Sequence, residues 1–277
     1  MDNIVILVDE KKEPGLETAR EIERYLLGQV DEVRIVKSAA DIMSDEHPKA
    51  DIAIVLGGDG TVIQAAKQVA GKDIPLLGVN FGTLGFLTDV ERPKLHLALS
   101  ELLSDNYVKE TRIALSCKMH LGEKNRVVGP VINEFVVCKQ DFGHMITTSV
   151  YADDVYVDTY VADGILISTP TGSTAYNLSA QGPMLVPDME ALIITPICPH
   201  SLSKKPLVVS SERVIKIKIE KTKADFSDEA AIRGDGFLLG EATSGDEFTI
   251  RKSEDTFDMI HVGDVSFYEK ARVKLSL

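Results

Sequence analysis

Gly57-Gly58-Asp59-Gly60-Thr61 follows the apolar run Ile52 to Leu56 and precedes a helical pattern. Three glycines at a strand-to-helix turn let a ligand approach the main chain, and the unpaired N–H groups of a helix start suit phosphate oxygens. Asp59 is the odd member. A carboxylate beside phosphates repels them unless it holds a metal ion or accepts a proton from an attacking hydroxyl. The same residues fit a simpler reading, in which Asp59 caps the helix and the glycines only turn the chain. The local residues leave the two readings level.

Two further clusters carry polar groups into apolar surroundings. Asp163 to Tyr176 runs from a turn through the apolar Ile165-Leu166-Ile167 into Ser168, Thr169, Pro170, Thr171, Gly172, Ser173 and Thr174. Such a loop offers several hydroxyl and main-chain donors with little side-chain entropy to lose, which suits a base edge or a sugar. Its simpler reading is a Ser/Thr turn that feeds a helix, with Ser173 or Thr174 as N-cap. Asn133-Glu134 lies inside the apolar stretch Val131 to Val137. Adjacent polar groups in a strand made for burial are costly unless satisfied, and a bound ligand is one way to satisfy them.

The elements that must position these residues fall into two patterns. Over the first hundred residues short apolar runs alternate with helical spacing, the signature of βαβ units around a parallel sheet. Strands are expected at Ile4–Val8, Val33–Val36, Ile52–Leu56 and Ile74–Val79. Helices are expected after Pro14, with Leu16, Ala19, Ile22 and Leu26 on one face and Gly28 as stop, and at Thr61–Ala70; a third cannot begin before about Pro93. From Tyr107 to about Arg251 the period becomes two, clearest where Ile215, Ile217 and Ile219 alternate with Lys216 and Lys218. Asp153-Asp154 and Ser244-Gly245-Asp246 read as hairpin turns. The tail, Phe257 to Leu277, reads as a strand and a final segment.

Composition narrows the function classes. At 277 residues, 44% hydrophobic and 26% charged, the chain is globular and long enough for two domains. A formal charge of -13 repels polyanions, which argues against nucleic acid or an anionic membrane as partner and requires local donors or a metal for any anionic ligand. The apolar run at Ile4 to Val8 is too short for a signal or membrane segment, so a cytoplasmic protein is expected. Cys117, Cys138 and Cys198 are far apart and form no C-x-x-C pair, so they are expected to be reduced and mostly buried thiols. The six histidines, His47, His96, His120, His144, His200 and His261, show no metal-ligand spacing. There is no H-E-x-x-H, G-x-S-x-G or Walker A lysine motif, and the acidic stretch Asp225 to Glu229 reads as a solvated loop.

The three clusters together resemble the NAD kinase family. Its hallmarks are a GGDGT loop, an Asn-Glu pair and a D-G-x-x-x-S-T-P-T-G-S-T-A-Y stretch, standing here as Gly57 to Thr61, Asn133-Glu134 and Asp163 to Tyr176. The Asn80 to Leu87 stretch is similar to the family's N-x-G-x-L-G-F-L loop, and the likeness reaches the Phe267-Tyr268 and Lys274-Leu275 pairs of the tail. GGDGT alone is shared with lipid kinases and, more loosely, with phosphofructokinases; the Ser/Thr stretch is more specific.

The resemblance implies α/β plus all-β architecture. An N-terminal Rossmann-like parallel α/β domain, 1–105 with about 252–277, binds ATP, and a β-sandwich-like C-terminal domain, 106–251, binds NAD, the tail returning to the first domain. The implied reaction moves the γ-phosphate of ATP, or of polyphosphate, to the 2′-hydroxyl of the adenosine ribose of NAD, giving NADP. Asp59 is then the base, and Gly57, Gly58, Gly60 and Thr61 hold phosphates bridged by Mg²⁺, for which no protein ligand is assigned. Asn133 and Glu134 meet the NAD ribose and base, and Thr174, Ala175, Tyr176, Asn177, Leu178 and Ser179 line the dinucleotide site. Asp163 takes the carboxylate position near the nicotinamide end, and Phe86, His144, Asp235, Asp59 and Gly60 also face the dinucleotide. The residues themselves favour reading His144 as a surface loop histidine. A homo-oligomer, dimer or tetramer, is also implied.

Two positions depart from the family. Where it reads S-A-G-G-P the chain has Ser179-Ala180-Gln181-Gly182-Pro183, so a positive φ at Gln181 would be strained. A D-G-Q element stands as Asp235-Gly236-Phe237, replacing a ligand-contacting amide by an aromatic face.

Three rival readings remain. Gly78, Gly82 and Gly85 superficially match a dehydrogenase fingerprint, which works only if the glycines open a helix. A lipid kinase is expected to carry Asn-Glu directly after the glycine loop, where this chain has Val62-Ile63-Gln64. A non-enzymatic nucleotide sensor is most simply marked by loss of the acidic residue, and Asp59 is present.

Overall fold

The computed structural model describes residues 2–9, 14–44, 49–82, 85–140, 144–221, 229–263 and 266–275. Thr83 and Leu84 of the 80–87 loop, His47, and all but the last residue of the 225–229 acidic stretch lie outside them. The chain divides into two compact units, Met1–Arg112 with Thr256–Leu277, and Ile113–Asp255.

The first unit opens with β1 (Asn3–Val8), α1 (Gly15–Leu26), β2 (Glu32–Val36), β3 (Ile52–Leu56), α2 (Asp59–Val69) and β4 (Leu76–Asn80). β5 (Val90–Glu91), α3 (Leu95–Leu103) and β6 (Val108–Arg112) follow. β3 and β4 are buried along their whole length and β1 along all but its first residue, as expected for parallel strands covered on both faces. Ile4, Ile6, Ile52, Ile54 and Leu56 share a core with Ala19, Ile22 and Leu26 of α1 and Leu95, Leu99 and Leu102 of α3. Leu16, expected on that buried face, stays exposed. α1 ends as expected before Gly28, which takes a positive φ of 79°. α3 begins at Leu95, after a 3₁₀ turn over Arg92–Lys94.

The second unit is built from β7 (Leu115–Leu121), β8 (Lys124–Val131), β9 (Glu134–Lys139), β10 (Ile146–Ala152), β11 (Val155–Ala162) and β12 (Gly164–Ser168). The single-turn α4 (Tyr176–Ser179) precedes β13 (Ala191–Ile197), β14 (Leu207–Ser210), β15 (Ile215–Glu220), β16 (Ala230–Gly234), β17 (Phe237–Ala242) and β18 (Glu247–Lys252). Two antiparallel sheets form, ordered β11-β10-β15-β18-β7-β8 and β14-β13-β12-β9-β16-β17. Ile215, Ile217, Ile219, Leu115 and Met119 of the first share one core with Phe135, Val137, Ile165 and Ile167 of the second, which makes a β-sandwich. The other face of β12 is buried too: Leu166 clusters with Val136 and Ile197. That double burial is why Ile165 to Ile167 reads as unbroken apolar sequence. Asp153 and Asp154 both take positive φ, 49° and 64°, and close the β10–β11 hairpin as a two-residue turn. Gly245, at φ 95°, serves the β17–β18 turn.

The tail then rejoins the first unit. β19 (Phe257–His261) enters its sheet between β4, parallel, and β6, antiparallel, and α5 (Phe267–Leu275) ends the described chain. The sheet order is β2-β1-β3-β4-β19-β6, with β5 paired to β4. The cysteines are free, but only Cys117 is fully buried, and burial pushes its thiol up to about 12. Cys138 is half-buried and Cys198 exposed, because Cys198 follows the last residue of β13. The expectation of mostly buried thiols is therefore corrected.

Candidate active site

In the first unit the glycine loop joins the end of β3 to the start of α2. Gly57 N–H donates to the Val79 carbonyl at 3.0 Å, which moors the loop to β4, and Gly58 is the N-cap residue with no side-chain bond. The N–H groups of Asp59 and Gly60 belong to the first turn, where no helix carbonyl precedes them. Asp59 does not cap α2. Its carboxylate turns to the neighbouring loop, where Oδ2 accepts the Phe86 N–H at 2.9 Å and Oδ1 the Leu87 N–H at 3.0 Å. A Cβ at Gly85 would collide with Asp59 Oδ1, so only glycine lets the loop close over the carboxylate. The aspartate side chain keeps 32% exposure. The helix-capping alternative is thus set aside, and the glycines at 78, 82 and 85 open no helix, as a dehydrogenase fingerprint would require.

In the second unit the expected residues gather at the junction of β9, β12 and β16. Asn133 and Glu134 are buried, 8% and 5% exposed, where β9 begins. Asp235, in the β16–β17 turn with φ 47°, accepts the Asn133 N–H on Oδ1 at 2.7 Å and the Ile132 N–H on Oδ2 at 3.0 Å. Its own N–H donates to the Glu134 carbonyl at 3.1 Å. Across from it, Thr169 donates its hydroxyl to the Ile132 carbonyl at 2.7 Å and its N–H to the Asn133 carbonyl at 2.9 Å. The Asn-Glu pair is therefore clamped from both sides. Gly172 lies so close that a Cβ there would strike the Asn133 carbonyl.

Beyond that clamp Thr171–Thr174 form a 3₁₀ turn and Tyr176–Ser179 a single helical turn, neither with a side-chain cap. The Ser173 hydroxyl instead accepts the Leu185 N–H at 3.0 Å, so the N-cap reading of this loop is corrected. Asn177 is fully buried. Its amide donates to the Ser173 and Pro183 carbonyls at 3.2 and 2.9 Å and accepts the Thr195 hydroxyl at 2.7 Å. Thr174, Ala175 and Leu178 are half-buried, and Tyr176 and Ser179 exposed. Burial pushes the Tyr176 phenol up, and the charges of Cys138, Cys198, Asp163 and Glu134 add to it. Asp163 also pairs with Lys139 at 2.6 Å. His144 stands exposed ahead of β10, in the other sheet. Among the described residues no group of three or more His, Cys, Asp and Glu could hold a metal ion.

A model of the ATP-NAD kinase N-terminal domain matches residues 4–107, and a model of the ATP-NAD kinase C-terminal domain matches residues 132–262. This chain belongs to the NAD kinase family. The NAD kinase of Syntrophotalea carbinolica is 37% identical over 268 aligned positions, covering 93% of this chain and 92% of that protein. The NAD kinase of Moorella thermoacetica is 37% identical over 285 positions, 99% and 89% of the two chains. Among solved structures, yeast NADH kinase complexed with NADH shares the fold at TM-score 0.85 and 22% identity, covering 100% of this chain and 88% of that one. An NAD kinase from Archaeoglobus fulgidus in complex with ATP does so at TM-score 0.72 and 24% identity, covering 100% and 98%. The family, the mixed fold and the kinase activity expected from the motifs are met: the chain is an enzyme that phosphorylates NAD to NADP.

Sequence reasoning missed two contributors within this NAD kinase scaffold. Thr169 ties the Ser/Thr loop to the Asn-Glu pair, a role hidden among many equivalent hydroxyls. α5 brings Lys274 Nζ to 4.0 Å from Asp59 Oδ2. Phe267, Lys270, Ala271 and Lys274 recur at helical spacing, a pattern that could have identified that helix.

Proposed function

We propose that Asp59 receives the proton of the adenosine ribose 2′-hydroxyl of NAD as that oxygen attacks the γ-phosphorus of ATP. The observation that carries this reading is the anchoring of both carboxylate oxygens by the Phe86 and Leu87 amides. Each oxygen keeps a second lone pair, and the group is oriented before substrate arrives, which is what positioning contributes to a transfer step. Ordinary aspartate is a weak base, with a pKa of about 3.9, but a loose phosphoryl-transfer transition state asks mainly for alignment and charge neutralisation.

The Gly58 and Gly60 N–H groups and the Thr61 hydroxyl hold phosphate oxygens at the α2 start, while Gly57, whose N–H is committed to Val79, shapes the loop instead of binding phosphate as expected. Mg²⁺, which keeps several waters, would be held by the nucleotide phosphates, with no protein ligand assigned to it. The cation supplies charge neutralisation. Asn133 and Glu134, fixed by Asp235 and Thr169, recognise the NAD ribose and base; Thr174, Ala175, Tyr176, Leu178 and Ser179 line the dinucleotide, with Phe86, Asp163 and His144 at its periphery. Buried Asn177 and the amide-bound Asp235 serve the site by shaping it. We extend the reading to a cytoplasmic homo-oligomer. No helix among the described residues is long and apolar enough to cross a membrane. Apolar side chains stand exposed on outermost strands of the sandwich, Val155 and Val161 on β11 and Leu207 and Val208 on β14.

Purified protein incubated with NAD, Mg²⁺ and either ATP or polyphosphate, and assayed with an NADP-specific dehydrogenase, tests the reading. Formation of NADP with ATP, and its loss on chelation of the metal, is the expected result. Phosphate found at any position but the ribose 2′-oxygen would contradict it.

A further inference from the structure

α5 presents one face to the loop that holds Asp59. The Phe267 ring lies 6.0 Å from that of Phe86. Three residues on, Lys270 is buried to 3% exposure, where its ammonium meets Asp89 and donates to the Phe86 carbonyl at 3.2 Å. Four residues further, Lys274 places Nζ 4.0 Å from Asp59 Oδ2 and 4.9 Å from the Phe86 ring centroid. Steps of three and four residues put all three on one side of the helix. Lys270 therefore fixes the helix, and Lys274 is the group the helix delivers.

The two lysines differ in what engages them. Lys270 is desolvated against a carboxylate and a carbonyl. Lys274 stands outside ordinary hydrogen-bond range of Asp59, about 2.7–3.2 Å, and its side chain is 28% exposed. A solvated ion pair at that separation contributes little to stability, typically well under about 1 kcal/mol, so holding the fold together is a poor account of its placement.

We propose that Lys274 is a further catalytic residue, binding the oxygens of the γ-phosphoryl group as it passes to the ribose; this rests on Asp59 being the proton acceptor. The distances follow from that role. A base must lie about 2.6–3.2 Å from the hydroxyl oxygen it serves, and that oxygen about 3–3.5 Å from the phosphorus it attacks. The equatorial phosphoryl oxygens are then within about 6 Å of the Asp59 carboxylate, the shell in which Lys274 Nζ already stands. In the transfer the ribose 2′-oxygen bonds to the γ-phosphorus, the bond from that phosphorus to the β,γ-bridging oxygen breaks, and ADP leaves with the bridging oxygen. The hydroxyl proton passes to Asp59, and Lys274 keeps its own protons and donates hydrogen bonds to the oxygens over which charge spreads. A lysine suits this as a point charge with three donors on a flexible stem, and in a molecule of net charge -13 it supplies positive charge at the site.

The test compares Lys274→Gln and Lys274→Arg with wild type for kcat and KM on NAD and ATP, with thermal midpoints alongside. Lys274→Gln is expected to lower kcat at least about 30-fold, in keeping with loss of one transition-state donor, while KM for NAD stays within about threefold and the midpoint within a few degrees. Lys274→Arg is expected to recover at least about a tenth of wild-type kcat by retaining the charge. A Lys274→Gln enzyme within about twofold of wild-type kcat, or Gln and Arg variants equally impaired, would overturn the role. If wild type itself made no NADP, the kinase reading would fail first; an active wild type with an indifferent Lys274→Gln variant would sink only the lysine.

Discussion

Gln181 holds φ at 65°, in the left-handed region that glycine adopts freely and a side chain makes costly by about 1–2 kcal/mol. Its N–H donates to the Leu178 carbonyl at 3.0 Å, so it ends the α4 turn in the position where helices commonly place glycine. Replacing Gln181 by Gly should raise stability by about 0.5–1 kcal/mol, the relief of strain less the added entropy of the unfolded chain. Urea denaturation reads this as a higher midpoint at unchanged slope, and an unchanged midpoint would remove the strain. This position was legible in the sequence because one residue broke an otherwise matching motif. The cross-loop bonds of Asp59 were not: Phe86 and Leu87 are 27 and 28 residues away, and nothing in their types marks their amides as donors to a carboxylate. Asp235 illustrates the same limit, since its partners Ile132 and Asn133 lie about a hundred residues earlier.

Strands and helices were legible where burial imposes a period. β15 shows its alternation, β1, β3 and β12 their unbroken apolar runs, and α1 its stripe. The tail strand β19 was legible from its apolar residues, but its place between β4 and β6, and the charged contacts that join it to α5, were not. Asp89 meets both Lys270 and His261, His261 Nε2 faces Glu110 at 3.5 Å, and Arg112, 3% exposed, pairs with Glu110 at 2.6 Å. Burial opposes the charged form of His261, but its hydrogen bond to Asp89 and the negative charges of Asp89 and Glu110 outweigh that and raise it to about 9. Burial likewise pushes Glu110 up, and His261 and Arg112 outweigh it and bring it down to about 2. A histidine raised from 6.5 to about 9 contributes stability that is complete below pH 6.5 and lost as pH rises through about 9. A glutamate lowered from 4.5 to about 2 contributes stability that is complete above 4.5 and lost as pH falls through about 2. The unfolding free energy should therefore drop by on the order of 2 kcal/mol between pH 6.5 and 9, and His261→Gln should flatten that slope. Chemical denaturation across this range checks it; an equal slope in the variant would show that the histidine does not carry the effect.

At the scale of the whole molecule, a protein of net charge -13 must bring together two polyanionic nucleotides. The field of the whole chain opposes this, so the proposed reaction calls on local devices: the α2 start, a cation carried with the phosphates and, on α5, Lys274. The exposed apolar edges of the sandwich make self-association the expected state, and sedimentation at micromolar concentration should show a mass that is a multiple of one chain; a monomer throughout would contradict it. The central claim concerns a single carboxylate, and single-turnover phosphoryl transfer in Asp59→Asn tests it most directly. The asparagine can accept only one of the two loop amides, so thermal midpoint and NAD affinity must be measured with the rate. With NAD affinity within about threefold of wild type, the transfer step should slow by about 10²–10⁴-fold, the range a positioned general base contributes. A transfer rate within about twofold of wild type would contradict the assignment of Asp59 as the group that takes the ribose proton.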